Sequence, residues 1–148
     1  HMIRSNEKTT VRRLTRIERL RLAGTIDRHE EQACQWYADQ HSQGYDTIGC
    51  TANYLGAGGG GFGAHDLLAR YKAQLEAREM FWFARQALPA HYLPMFEAVV
   101  LEGRTISDAG TGLYERLSRS SRADKLSAAF RLAANLLHGR IAHVLPVE

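Results

Sequence analysis

The sequence predicts an all-α fold: a helical bundle with a C-terminal helix-turn-helix-like hairpin and a glycine-rich central loop. Three observations predict it. Apolar residues recur at helical spacing in each long segment, helix-start signatures precede several of those segments, and no segment shows the alternation of a half-buried strand. The 148 residues, 45% hydrophobic and 24% charged, suit one compact domain or two small ones. At that size a core can form without disulfides or a metal staple.

The first helix is expected from Thr10 to Ala23, with Leu14, Ile17 and Leu20 among five arginines and Gly24 as its stop. Asp27 and Glu30 resemble a capping pair that opens a second helix, with Ala33, Trp36 and Tyr37 facing inward and Gly44 ending it. The run Gly56-Ala57-Gly58-Gly59-Gly60-Gly61-Phe62-Gly63 costs too much backbone entropy for regular structure and reads as a linker. The expected organisation is therefore a basic helical arm over 3–43, a glycine-rich loop over 44–64 and a helical body over 65–145.

The body opens with a long helix from Ala64 to Ala87. Leu68, Tyr71, Leu75 and Trp82 mark its expected buried face, and Met80-Phe81-Trp82-Phe83 predicts a section sandwiched in the core. Pro89 and Pro94 bracket the next start, and Phe96, Val99 and Val100 supply a stripe ending near Gly103. Thr105–Asp108 and Ser121–Asp124 both match the hydroxyl-x-x-acid cap. A last helix over about Arg122 to His138 aligns Leu126, Phe130, Ala133 and Leu137.

Charge is unevenly placed along this frame. Ile3 to Arg28 carries eight basic and three acidic side chains, His29 to Gly103 four and nine, and Arg104 to Arg140 seven and three. Two basic ends around an acidic middle point to a polyanionic partner.

Several motifs are weaker than they look. Gly56 to Gly61 satisfies G-x-G-x-x-G, but no buried strand precedes it and no lysine-hydroxyl pair follows, so neither a dinucleotide site nor a P-loop is expected. His29, Cys34, His41 and Cys50 match no zinc-finger spacing. There is no G-x-S-x-G and no S-x-x-K. No enzyme, cofactor or metal is expected. The two cysteines predict a reducing, cytoplasmic setting rather than a disulfide framework. Without a long apolar run or a leader pattern, no membrane association is expected, and His1-Met2 reads as a cloning remnant.

The phrase Leu88-Pro89-Ala90-His91-Tyr92-Leu93-Pro94-Met95-Phe96, followed by Val99-Val100-Leu101-Glu102-Gly103, resembles the opening of the region-4 helix-turn-helix of bacterial sigma factors. The resemblance spans 88–141 and implies a first motif helix from Thr105 and a recognition helix entered through Ser118 to Lys125. One departure is the interval of sixteen positions between Thr105 and Ser121, where a compact motif needs about 11. Either the turn is enlarged, with Leu113 to Leu117 adding a helical turn, or the likeness is to a helical hairpin only. The wider pattern also resembles an alphaproteobacterial domain of helix-turn-helix regulators and activators of phage-like gene transfer agents.

The expected contact set follows from chemistry at a helix start. Free N–H groups and partial positive charge attract phosphate. Ser118, Ser120 and Ser121 add hydroxyls there, and Arg104, Arg116, Arg119, Arg122 and Lys125 add full charges. Arg131 and Asn135, opposite the apolar stripe, are expected to address base edges. Arg12, Arg13 and Arg16 of the arm are expected to add backbone contacts. The expectation is a non-enzymatic, DNA-binding transcriptional regulator of phage-related type. Its partners would be double-stranded DNA, RNA polymerase or another regulator, and a second protomer. The alternative is a helical adaptor or assembly subunit that does not bind DNA alone.

Overall fold

The computed structural model describes residues 13–46 and 64–146. It contains α1 (Arg16–Leu22), α2 (Arg28–Tyr45), α3 (Ala64–Arg85), α4 (Leu93–Val100), α5 (Ile106–Ala109) and α6 (Arg119–Ile141), then a 3-10 turn at Ala142–Val144. Among the described residues there is no strand. None of their helices is long and apolar enough to cross a membrane.

α1 starts later than its apolar spacing implies. Thr15 caps it: the Glu18 amide donates to Thr15 Oγ1 at 3.2 Å and the Thr15 amide to Glu18 Oε1 at 2.9 Å. This reciprocal pair satisfies two donors that a helix start leaves open. Thr10 and Arg12 lie outside the described residues. Gly24 follows the helix at φ +80°, a left-handed conformation that glycine adopts without steric cost. Asp27 and Glu30 form the expected capping box on α2, with both bonds at 2.8 Å.

α2 then runs past its expected stop. Gly44 lies inside the helix, and a Cβ there would meet Arg78 Cγ at 2.9 Å and the Arg78 amide nitrogen at 3.0 Å. The glycine serves close approach to α3 rather than termination. α2 is the central element, packed on α1, α3, α4 and α6. α1 and α2 pack into the same body as the later helices. Ile17, Ile26, Ala33, Cys34 and Tyr37 share one core with Phe81, Phe96, Phe130 and Leu137. The glycine run Gly56–Gly63 lies outside the described residues.

α3 buries a different face from the expected one. Ala77, Phe81, Ala84 and, beyond the helix end, Leu88 are buried, whereas Leu68, Tyr71, Leu75 and Trp82 are 48–66% exposed. Of the four-residue aromatic section, Phe81 alone is fully in the core. Small side chains explain the choice: alanines on α3 and Gly44 on α2 let the backbones come close, and dense packing outweighs bulk on the competing stripe.

The C-terminal half follows its pattern more closely. Met95, Phe96, Val99 and Val100 of α4 are buried, with Pro94 in its first turn. Leu126, Phe130, Ala133 and Leu137 of α6 are 0–2% exposed. Phe96 stacks on Phe130 at 5.2 Å between ring centres, and Tyr37 meets Phe96 edge-on at 5.6 Å. Tyr37 also donates to Glu97 Oε2, which accepts from Arg85 Nε at 3.0 Å. Burial first, and the bond to Glu97 second, push the Tyr37 hydroxyl pKa far above its ordinary value.

Candidate nucleic-acid interface

The corner between α5 and α6 is built by glycines and a tyrosine pair. Thr105 caps α5, with Asp108 N donating to its hydroxyl at 3.1 Å. The helix lasts one turn because Gly110 must sit against α6. A Cβ on it would lie 2.5 Å from Leu126 Cδ2. The chain then bends through Gly112 at φ +97° and Tyr114 at φ 55°. A tyrosine there is held against a steric penalty of about 1–2 kcal/mol. Its hydroxyl shares a 2.8 Å bond with Tyr92, beside the start of α4. Residues 113–117 form isolated turns and not an added helical turn.

α6 begins at Arg119, ahead of the expected Ser121 cap. Ser118 is the cap residue, and its hydroxyl accepts from Ser121 N at 3.4 Å. Arg116, Ser118, Arg119, Ser120, Ser121 and Lys125 are all exposed around this start. Among the described residues, Arg116, Arg119 and Lys125 have no acidic partner. Arg122 is half-buried. One terminal nitrogen donates to the Leu117 carbonyl at 3.3 Å, while its Nε is buried with no hydrogen-bond partner among the described residues. Arg119, Arg122 and Ser107 line a concavity of about 240 Å³ floored by Ala123 and Leu126. Ser107 carries no signal in the sequence, since only the fold brings α5 alongside the start of α6.

The other expected residues are spread around this corner or drawn elsewhere. Arg104 lies one residue before the α5 cap, and its guanidinium donates to the Asp108 carbonyl at 3.1 Å. Arg16 reaches across from α1 and donates to the Gly103 carbonyl at 3.2 Å. It therefore stands beside Arg104 on the approach to α5. Arg13 is exposed just before α1, and Arg12 lies outside the described residues.

Arg131 and Asn135 are placed differently. Glu30 of α2 is completely buried. Arg131 Nε donates to both of its carboxylate oxygens, at 3.0 and 3.1 Å. Asn135 Nδ2 donates to Glu30 Oε2 as well, and Arg131 also stands 3.7 Å from Asp27. Both side chains thus clamp α6 onto the start of α2. Their neighbours on the outer face are Leu132 and Leu136, each more than 40% exposed. The polar atoms expected at base edges make these bonds to Glu30, while the Arg131 side chain stays half-exposed and Asn135 is exposed. A buried carboxylate without these donors would be severely penalised.

No family model, curated protein or solved structure matches the chain.

Proposed function

We propose that the chain is a non-enzymatic, DNA-binding transcriptional regulator that grips duplex phosphates at the α5–α6 corner. One observation carries this reading: the cations around the start of α6 lack acidic partners among the described residues, whereas Arg21, Arg85 and Arg131 each pair with glutamate at 3.0–3.1 Å. Unpaired guanidinium groups beside a helix N-terminus recognise phosphate oxygens through charge and directed N–H donors. The Arg119–Arg122–Ser107 concavity adds a place where one such oxygen can replace the missing partner of Arg122 Nε. In this reading, the region-4 likeness supplies the docking mode. Arg131 and Asn135 support the helix rather than read bases, and phosphate positioning contributes most of the affinity.

The test is fluorescence anisotropy with a labelled random duplex at several salt concentrations. Binding should weaken steeply with salt. The Arg119→Ala/Arg122→Ala variant should flatten the log–log slope by about 2, near 0.9 for each phosphate that is no longer neutralised. Undetectable binding at low salt, or an unchanged slope in the variant, would remove the assignment.

The adaptor reading also has an observation of its own. The outer stripe of α3 leaves four large apolar side chains in solvent, as protein-docking surfaces do.

A further inference from the structure

We infer that the outer face of α3 is a homodimer interface, on which a second copy of this chain lies antiparallel along the same helix. Leu68, Leu75 and Trp82 are spaced by seven residues, and Tyr71 falls between the first two at the complementary position. This is the a/d spacing by which one helix packs along another, with Arg78, turned toward α2, at the next d position. Each of the four is 48–66% exposed. From Leu68 to Trp82 the stripe runs about 21 Å.

The placement of α2 leaves most of the stripe uncovered: at its C-terminal end Trp82 Nε1 donates to the Tyr45 hydroxyl of α2 and the Arg85 guanidinium lies 4.6 Å from the indole centre, yet Trp82 stays 48% exposed. Gln74 Nε2 donates to the Asp46 carbonyl at 2.9 Å, and Arg78 Nε donates to the Gly44 carbonyl. Those bonds mark the end of α2, so α3 outruns it by nearly three turns toward its own N-terminus, the stretch that carries Leu68 and Tyr71. Arg78 is drawn toward α2, its guanidinium lying 5.0 Å from the centre of the Tyr45 ring. It therefore does not cover Leu75. A helical extension with large apolar side chains and no packing partner is marginal in water.

Charge selects the occupant and its direction. Lys72 and Glu79 flank the seam on one edge, both exposed and neither in an ion pair with another described residue. They occupy equivalent positions one heptad apart. When two copies run antiparallel, Lys72 faces Glu79 of the partner subunit, and the symmetry repeats the pair. In that register Tyr71 lies opposite Trp82 of the partner subunit, and Leu75 stands beside the two-fold axis. A parallel pair brings like flanks to opposite sides of the seam and satisfies neither charge. The surface is complementary to itself. This inference is independent of the phosphate reading, because its residues lie on a different helix from the α5–α6 corner.

Sedimentation equilibrium of the full chain without nucleic acid tests it. The wild type should be a dimer at micromolar concentration. Leu75→Glu places two carboxylates beside the axis and should yield monomer with unchanged helical circular dichroism. Glu79→Lys should weaken the dimer about tenfold by setting lysines against each other. Adding Lys72→Glu to it should restore the wild-type constant, which no merely destabilising change would do. A monomeric wild type at 100 µM (roughly the upper range for a functional dimer) would overturn the inference. So would a Leu75→Glu variant that remains dimeric, or a double charge swap that rescues nothing.

Discussion

The two halves of α6 carry the same kinds of side chain to opposite ends. In the first half, Arg119 and Lys125 project from the helix start with no acidic partner among the described residues. In the second half, Arg131 and Asn135 converge on the buried Glu30 of α2. The difference lies in what packs alongside. Among the described residues the start of α6 lies beside the short α5 and a turn, whereas its middle crosses the beginning of α2, where a carboxylate is already buried as part of a capping box. Arginine chemistry is shared by both halves, and the neighbouring helix decides whether it meets an internal carboxylate.

The strongest way to break this contrast is Glu30→Ala. It removes the reciprocal cap of α2 and leaves Arg131 and Asn135 without their acceptor. A loss of about 3 kcal/mol is expected in urea unfolding, moderated because Arg131 is half-exposed and can rehydrate. Arg119→Ala/Arg122→Ala, by contrast, should change stability by less than about 1 kcal/mol while altering salt-dependent binding. Equal stability losses for the two variants would erase the distinction between the halves.

Gly110→Ala sharpens the same contrast from the other side. The added methyl meets Leu126 side-chain carbons at 2.5 and 2.8 Å, so α5 must shift against α6. A cost of about 1–3 kcal/mol is expected from overpacking. Duplex affinity should fall too, because Ser107 moves away from Arg119 and Arg122. Unaltered affinity in a destabilised Gly110→Ala protein would separate the concavity from binding.

The smallest effect near neutral pH comes from the core beneath both halves. Burial raises the Cys34 thiol above its ordinary value of 9.0, with Glu30 and Glu31 adding to it. Burial and the bond to Glu97 raise Tyr37 above 10.0. Both groups keep their protons longer in the folded chain than in the unfolded one. Their contribution is therefore complete below about pH 9 and declines as pH rises beyond 9–10, by about 1.4 kcal/mol per pH unit for each group ionised only on unfolding. Urea midpoints at pH 7.5 and 10.5 should differ clearly for the wild type and less for Tyr37→Phe. An equal alkaline drop in both proteins would exclude Tyr37 as a source.

Much of the fold is legible along the chain because its signals are local. Asp27 with Glu30 and Thr105 before Asp108 announce helix starts whose bonds close within one turn. Thr15-x-x-Glu18 carries the same signature, and weighing it above the apolar spacing places the start of α1 correctly. The Leu126–Phe130–Ala133–Leu137 stripe is equally readable, since α6 has one dominant apolar face. Around the candidate site, the cluster from Arg116 to Lys125 is visible as sequence, because consecutive residues at a helix start share a surface.

Which surfaces meet is a matter for the packed molecule. α3 presents two apolar stripes about 140° apart. The bulkier one looks like the core, yet the alanine-lined one is buried because Gly44 lets α2 come close there. Gly44 and Gly110 look like breaks in sequence, and packing turns both into points of close approach. Glu30 is an ordinary capping residue by pattern, and its role as acceptor for Arg131 and Asn135 spans about a hundred residues of chain. The helices, their caps and the basic helix start are written in the amino-acid order, since these depend on neighbours within a few residues. Partner choice among faces, and the engagement of Arg131 and Asn135 with Glu30, depend on close packing between distant segments. That packing is settled only when all the helices compete for the same core.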